Sequence, residues 1–455
     1  IKVTMPHFRI NELKLKAFKI EERDFVERLK KIIPENYSLQ SETIGGKNIY
    51  KTDFQIGKLF EHTLGLLYVQ SKSSMLSALA LSPKSEEKVL DLCSAPGSKT
   101  TLLSELMDNK GFILANEISL ERSKALMFNI DRLGNLNITV SNYDGIRLAS
   151  NFINYFDKIL VDPPCTALGD TRFTPQKQIE RNLSRLENLT QIQYQLLVSA
   201  AKMVKVGGEI VYSTCTTTLE ENEYLIEKFL SKYPFEIIDH NLKEFPNGNL
   251  TGKNIRDDLF LSIRIDPTED EEGFFIVKLR KKDDFIIDEK PQLQRLKQDE
   301  KIFNSDSKEI KEIVQQISDN YGIDEKMWNE FLFILRSGDL YFVATNNFEY
   351  ERIKFLRTGI KLATLDKKVG WRLTSNAVQI LGDKITKNIL NLQSKDQLKT
   401  YFMGQKTKID FPDSDFVVIK FGDYFIGSGK VKDSILLSYF PRSRRTIEID
   451  FSLIQ

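Results

Sequence analysis

The sequence predicts an α/β fold: a mostly parallel sheet with helices on both faces, preceded by a helical segment and followed by a β-rich region. Two observations predict the sheet. Short apolar runs alternate with helix-length segments from residue 88 to 279. Several of those runs lead into a residue able to do chemistry: Cys93, Glu117, Asp144, Asp162 and Cys215. In a parallel sheet, strand ends are where ligands and reactions collect. A third observation sets the end of the chain apart. After the charged stretch 281–307, short strand patterns separated by glycines follow a single helical run.

Residues 5–38 carry apolar side chains at helical spacing, among them Phe8, Leu15, Phe25 and Leu29, so a helical segment is expected there. Lys14, Lys16, Lys19, Lys30 and Lys31 decorate it, either as a solvated face or as one facing RNA. A short strand ending at Gln70 leads into an apolar helix capped by Ser74. Strands are then expected at 89–92, 112–116, 138–140 and 158–161, and at 210–212 after a turn at Gly207-Gly208. Helices are expected at 100–107, around 122–129 and at 186–204. Runs 235–238 and 274–279 suggest an antiparallel edge hairpin. Beyond the charged stretch, 310–334 reads as a helix. Strands follow at 340–344, 416–419, 424–426, 435–439 and 446–449, with Gly427-Ser428-Gly429 as a turn. The division expected is a helical segment (1–48), the α/β domain (49–282), a linker (283–307), an α+β region (308–400) and a small β-rich module (401–455).

Composition narrows the function. At 455 residues the chain can hold two or three domains. A net charge of +1 excludes a binder held by bulk charge, although clustered Lys and Arg can still grip RNA locally. Three cysteines are too few for a disulfide framework and indicate a reducing compartment. There is no leader pattern and no membrane-length apolar run, so a cytoplasmic protein without a membrane partner is expected. None of the three histidines lies near the strand ends, which argues against His-based catalysis and against a metal site. A monomer is expected.

The turn Cys93-Ser94-Ala95-Pro96-Gly97-Ser98-Lys99 follows a strand and opens a helix. A helix N-terminus offers unpaired N–H groups and partial positive charge, suited to a carboxylate or a phosphate. The turn lacks the glycine fingerprint of dinucleotide sites and is no P-loop. Glu117 stands where ribose hydroxyls would be held, Asp144 where an adenine amino group would donate, and Asp162 ends the fourth strand. Alone, each acid could be a helix cap. Together they suit a nucleoside with a zwitterionic tail, and S-adenosylmethionine fits. The cysteines call for thiol chemistry without a metal. C5 of cytosine becomes nucleophilic when a thiolate adds to C6; a carboxyl group at N3 assists, and a base then removes the C5 proton. Cys215, Asp162 and Cys165 meet those three needs. A cysteine at a strand end can also be a small buried hydrophobe, which is the reading for Cys93.

Read together, these stretches resemble the RNA cytosine-C5 methyltransferases of the NOL/NSUN class. The resemblance rests on Tyr68-Val69-Gln70, Ser73-Ser74-Met75, the run from Asp91 through Thr100, Asn129 and Arg132-Leu133-Gly134. It continues with Asp162-Pro163-Pro164-Cys165-Thr166, Gly207-Gly208, Tyr212-Ser213-Thr214-Cys215, Glu220-Glu221-Asn222-Glu223 and Gly273-Phe274-Phe275. It implies a Rossmann-like class I methyltransferase sheet, with S-adenosylmethionine held by residues 93–99, Glu117, Asp144 and Asp162. It also implies that Cys215 is the nucleophile and that Cys165 promotes release. The chain departs from the family at Ser94 and Ser98, where Ala and Gly are usual, and at Pro163 and Thr166, where Ala and Ser are usual. None of these changes removes a group the reaction needs. Asp162-Pro163-Pro164 is also similar to the Asp/Asn-Pro-Pro-aromatic motif of amino-group methyltransferases, but Cys165 replaces the aromatic.

Gly359-Ile360-Lys361-Leu362, Trp371-Arg372-Leu373-Thr374-Ser375 and Gly427-Ser428-Gly429-Lys430 are similar to the tail of the bacterial small-subunit ribosomal RNA members, the RsmF-like enzymes. The last strands look PUA-like, a small barrel that docks RNA. Pro441-Arg442-Ser443-Arg444-Arg445 then reads as a set of phosphate contacts or as a solvated turn. The resemblance implies cytosine methylation in small-subunit ribosomal RNA, naked or in the assembled small subunit, with tRNA as the alternative substrate. Two other classes compete. The cysteine pair argues against a catalytically silent ribosome-assembly factor, and the missing glycine fingerprint against an NAD-dependent dehydrogenase.

Overall fold

The computed structural model describes residues 6–169, 175–245, 256–268, 271–286, 301–344, 352–445 and 449–451. The chain begins with a small sheet rather than a wholly helical segment. Strand β1 (His7–Ile10) is followed by α1 (Glu12–Phe18), α2 (Glu22–Ile32), the hairpin β2 (Leu39–Ile44) and β3 (Lys47–Thr52), α3 (Phe60–Leu64) and β4 (Leu67–Val69). These strands form an antiparallel sheet in the order β2-β3-β1-β4. Every residue of β1 is buried, so it shows no alternation and Phe8 reads like one more residue of a helix face. The expected division at residue 48 falls inside β3. Lys14 is not on a solvated face: it is buried, and its ammonium donates to Gln379 Oε1 at 3.1 Å. Lys16, Lys19 and Lys30 do stay at the surface, in ion pairs with Asp108, Asp383 and Glu27.

Next come α4 (Lys72–Leu81), β5 (Lys88–Asp91), α5 (Ser98–Leu106), β6 (Phe112–Asn116), α6 (Leu120–Leu133), β7 (Ile138–Ser141) and β8 (Phe156–Val161). They are followed by α7 (Gln176–Leu183), α8 (Leu186–Met203), β9 (Val204–Thr214), α9 (Glu223–Leu230), β10 (Phe235–Ile238), β11 (Ile263–Ile265) and β12 (Phe274–Lys281). Strands β9-β8-β5-β6-β7 are parallel, and β12 lies antiparallel on β9 with β10 beyond it. Leu90 is in register with both Leu114 and Ile159, and Ile159 with Ile210. Their face packs with Leu196 and Leu197 of α8 and Ile226 of α9. Val89, Ile113 and Val211 pack on the other face with Leu102 of α5 and Leu126 of α6. Cover on both faces is why these strands read as continuous apolar runs. Two local expectations need correction. The cap residue of α4 is Ser71, not Ser74. Gly207-Gly208 is no turn before β9; it lies within β9, where the register with β8 slips and Gly207 takes φ +80°, a backbone that glycine adopts freely.

The remainder comprises β13 (Ile302–Asn304), α10 (Lys308–Tyr321), β14 (Leu332–Arg336), β15 (Asp339–Val343), β16 (Arg357–Thr358), β17 (Ile360–Asp366), β18 (Gly370–Leu373) and α11 (Ser375–Leu381). A final unit holds β19 (Ile389–Asn391), α12 (Lys395–Phe402), β20 (Thr407–Lys408), β21 (Ser414–Phe421), β22 (Tyr424–Lys432) and β23 (Ile435–Ser438). Two five-stranded sheets result, β13-β14-β15-β17-β18 and β19-β21-β22-β23-β20. The helix expected at 310–334 stops at Tyr321, where Gly322 at φ +65° ends it, and Ile334 is in β14. Gly427, Ser428 and Gly429 lie inside β22 rather than in a turn. A Cβ on Gly427 would meet Ser375 Oγ at 2.5 Å, so the glycine lets the strand lie against α11. The boundary expected at 401 cuts α12, and the final sheet already starts at β19. Within the expected linker, 287–300 lie outside the described residues, as do 446–448 of the last expected strand.

Two features join the halves. Strand β16 pairs antiparallel with β7 and so extends the central sheet, with Thr139 Oγ1 and Thr358 Oγ1 2.6 Å apart. Arg444 is buried; it donates to Asn376 Oδ1 at 2.7 Å, to Gln379 Oε1 at 3.2 Å and to the carbonyl of Thr63. It is therefore a structural arginine, not the phosphate contact expected of that run. Arg445 is also engaged, by the carbonyls of Phe440 and Ser438, which leaves Arg442 as the exposed arginine of the three. Among the described residues no helix is long and apolar enough to cross a membrane.

Candidate active site

Neighbouring parallel strands β8 and β9 end side by side, with Val161 opposite Tyr212. The loops that follow bring Cys165 and Cys215, both free thiols, to a sulfur–sulfur distance of 3.3 Å. Asp162 lies at the same edge. Its Oδ2 accepts from Lys99 Nζ at 2.7 Å and its Oδ1 from Ser213 Oγ at 3.2 Å. Lys99 sits in the first turn of α5, so the turn expected to hold a cofactor also reaches the cysteines. Burial pulls the Lys99 ammonium down, but Asp162, with Asp91 and the Cys215 sulfur, outweighs it and leaves the group more basic than usual. The Cys215 sulfur and burial push the Cys165 thiol up.

The two cysteine loops are held together largely by the Glu220–Glu223 motif. Glu221 is fully buried and accepts from Thr166 N at 2.9 Å, Gln193 Nε2 at 2.8 Å and Thr218 Oγ1 at 2.7 Å, as well as from the Thr166 hydroxyl. Asn222 takes Thr214 Oγ1 at 2.6 Å and donates to Thr216 O at 3.0 Å. Backbone contacts complete the clamp: Gly169 N donates to Cys215 O at 3.0 Å, and Gly273 N to Gly169 O at 2.7 Å. A Cβ on Gly169 would stand 2.1 Å from Gly273 O and 2.8 Å from Cys215 O. The signal in the sequence was Glu220-Glu221-Asn222-Glu223 following the Ser-Thr-Cys run, but which of those side chains turns inward is set by the fold.

On the other side of Lys99, the Cys93–Lys99 turn is laced to its surroundings. Ser94 Oγ donates to Asn116 O at 2.8 Å, Arg122 to Ala95 O at 2.6 Å and Asn129 to Pro96 O at 2.9 Å. Gly97 takes φ +101°, and its Cβ would meet Leu126 Cδ1 at 2.8 Å. The cap residue of α5 is Gly97, so among the described residues no capping side chain accepts from the first N–H groups of the helix. Glu117 is buried at the end of β6, accepting from Ala95 N at 3.3 Å and Ser119 N at 2.9 Å, with Arg122 3.3 Å away. Asp144 accepts from Ile146 N at 3.0 Å and keeps its carboxylate partly exposed. Cys93 is half-buried; desolvation and the surrounding carboxylates push its thiol up, so it carries no anionic sulfur. An uncapped helix N-terminus beside carboxylates with acceptor capacity to spare is a donor and acceptor set that fits a nucleoside bearing an amino-acid tail. Among the described residues, no group of three His, Cys, Asp or Glu is arranged to hold a metal ion.

The model of the 16S rRNA methyltransferase RsmB/F family matches residues 78–280, and that of the RsmF PUA domain matches residues 388–446. Ribosomal RNA small subunit methyltransferase F of Vibrio cholerae is 32% identical over 399 residues, covering 85% of this chain and 80% of its own length. The chain belongs to the RsmB/F family. The protein of the same name from Shewanella sediminis is 31% identical over 449 residues, covering 96% of this chain and 90% of its own. A methyltransferase homolog from Pyrococcus horikoshii, of known structure, is 32% identical with a TM-score of 0.52 over 62% of this chain and 87% of that one. NSun6 from Pyrococcus horikoshii, solved with SFG, is 24% identical and shares the fold with a TM-score of 0.52 over 62% of this chain and 92% of that one. As an RsmB/F member, the protein is an S-adenosylmethionine-dependent RNA methyltransferase with a C-terminal PUA domain.

Proposed function

We propose that this RsmB/F enzyme methylates C5 of a cytosine in small-subunit ribosomal RNA through a covalent bond between Cys215 and C6 of the base. The observation that carries the reading is the pair of free sulfurs 3.3 Å apart beside the Asp162–Lys99 ion pair. Bound S-adenosylmethionine supplies an electrophilic methyl group. Residues 93–99, Glu117, Asp144 and Asp162 would hold it, the α5 N-terminus facing its carboxylate and Glu117 its ribose. The target base must leave any stack to reach the strand ends. Lys99, paired with Asp162, would supply positive charge beside the attacking sulfur. Asp162 would face N3 of the base, where a proton taken from water and shared between carboxylate and ring nitrogen draws charge toward nitrogen as Cys215 adds to C6. Once the Cys215 sulfur is bonded to carbon it no longer raises the Cys165 thiol. Once C5 carries the methyl group, Cys165 passes its proton to water, its thiolate takes the proton on C5, and the C6–S bond breaks to return the Cys215 thiolate.

The final sheet and its PUA match support an RNA-docking role for the C-terminal module, which we place from β19 onward. Assembled small subunits and naked ribosomal RNA are the substrates we expect, acted on by a cytoplasmic monomer, with tRNA as the alternative. The test offers wild type, Cys165→Ala and Cys215→Ala the labelled cofactor with small subunits, naked ribosomal RNA and tRNA. Cys215→Ala should transfer no label, and Cys165→Ala should accumulate an RNA adduct on a denaturing gel. Undiminished transfer by both variants would refute the thiol mechanism, and transfer to tRNA alone would reverse the substrate order.

A further inference from the structure

We infer that helix α7 is an RNA-backbone clamp, tied to the loop that carries Cys165. The inference rests on the RNA methyltransferase reading above and names a substrate-gripping element within it. Lys177, Arg181 and Arg185 recur at every fourth position, and all three are exposed. Helical hydrogen bonds continue through the junction with α8, from Ser184 N to Glu180 O and from Leu189 N to Arg185 O. The three cations thus share one face and span about 12 Å. None has an ion-pair or hydrogen-bond partner for its charged group among the described residues, whereas Lys99, Lys72 and Arg264 are paired with carboxylates. No residue of α7 is buried, so core packing does not explain the helix.

Its attachment points to the reacting centre. Asn182 Nδ2, between the cations on α7, donates to Thr166 O at 2.8 Å. Gln193 Nε2, on α8, donates to Pro164 O at 2.9 Å. The carbonyls on both sides of Cys165 are therefore held by this helix pair. A polyanion lying along the stripe would meet a row of unpaired charges and would bear directly on the backbone that carries Cys165. Regularly spaced phosphates of a single RNA strand fit such a row, and arginine and lysine contacts to phosphate position a strand without reading its sequence. The whole chain carries only +1, so a local stripe of three free cations is a large part of what it offers an RNA near the site.

Two readouts separate this inference from the reading it rests on. The first is equilibrium binding of a fluorescein-labelled single-stranded RNA across a salt series; the second is methyl transfer to small subunits and naked ribosomal RNA. The full-length triple variant Lys177→Ala, Arg181→Ala, Arg185→Ala should bind the probe at least tenfold more weakly. Its slope of log affinity against log salt should fall by about 2, at ~0.7 per lost phosphate contact. Half-saturating RNA for transfer should rise by a similar factor, with the rate at saturating RNA within about twofold. The charge-keeping variant Lys177→Arg, Arg181→Lys, Arg185→Lys should stay within about threefold of wild type in both assays, which rules out a merely structural effect. Unchanged probe affinity and salt slope in the triple alanine variant would overturn the inference, whatever the activity. Loss of affinity in the charge-keeping variant equal to that in the alanine variant would overturn it too. Wild type that binds the probe with the expected slope but transfers no methyl group would sink the functional reading and leave the clamp standing.

Discussion

Glu61 is buried on α3, and neither of its carboxylate oxygens has a hydrogen-bond partner among the described residues. Burial raises its pKa from the ordinary carboxylate value to about 7, against a weaker pull downward from its own backbone and from Arg28. A carboxyl group whose folded pKa lies above its unfolded one stabilises the fold below the unfolded value and loses that contribution as pH rises through the folded value. Stability should therefore decline between about pH 4.5 and pH 7, by roughly 3 kcal/mol from this group at ~1.4 kcal/mol per unit. Asp91, also pushed up to about 7 by burial and with one oxygen unpaired, acts in the same direction. Urea denaturation at pH 5.5 and pH 8.5 checks this: Glu61→Gln should recover a large part of the stability that wild type loses at the higher pH. An equal loss in both proteins would mean that Glu61 is ionised in the folded state at both pH values.

At the scale of elements, the edge that carries both cysteines depends on two loops touching without side chains between them. Adding one methyl group at Gly169 sets it 2.1 Å from Gly273 O and 2.8 Å from Cys215 O, so the loops must part. Gly169→Ala should lower single-turnover methyl transfer by about 10²-fold, the usual cost of a ~1 Å misplacement of reacting groups. Its melting temperature should fall only a few degrees, because Gly169 lies outside the sheet core; a proportionate loss of both would assign Gly169 to stability alone. The same edge shows how far the sequence could be read. Asp162, Cys165 and Cys215 were legible because short apolar runs mark strand ends and parallel neighbours bring those ends together. The inward turn of Glu221, the close approach of Gly169 and the burial of Lys14 were not, because each depends on a partner that only folding brings near. The strand at Phe8 was missed for a related reason: a fully buried strand of four residues has no period to read.

At the scale of the whole molecule, Arg444 decides how the PUA end meets the methyltransferase half. Burial lowers its pKa to about 9, and its guanidinium bridges Asn376 and Gln379 to the carbonyl of Thr63. Arg444→Ala should cost about 2–4 kcal/mol, since it strands buried acceptors on both sides, whereas Arg442→Ala at the exposed neighbour should stay within ~0.5 kcal/mol. Chemical denaturation of the full chain distinguishes the two, and comparable effects would contradict the assignment of Arg444 as the joint.

Strand β16 lends this arrangement a direction in time. The catalytic sheet is completed at β7 by Arg357–Thr358, which leave the ribosome after everything else in that sheet. Between the end of β12 at Lys281 and this last strand, synthesis runs for something on the order of ten seconds at ordinary rates. During that interval the nascent chain presents an open sheet edge at β7, the kind of surface that recruits foreign strands. The enzyme therefore closes its catalytic sheet only when much of its carboxyl-terminal half has been made, and a chain cut short before residue 357 would emerge with that edge permanently bare.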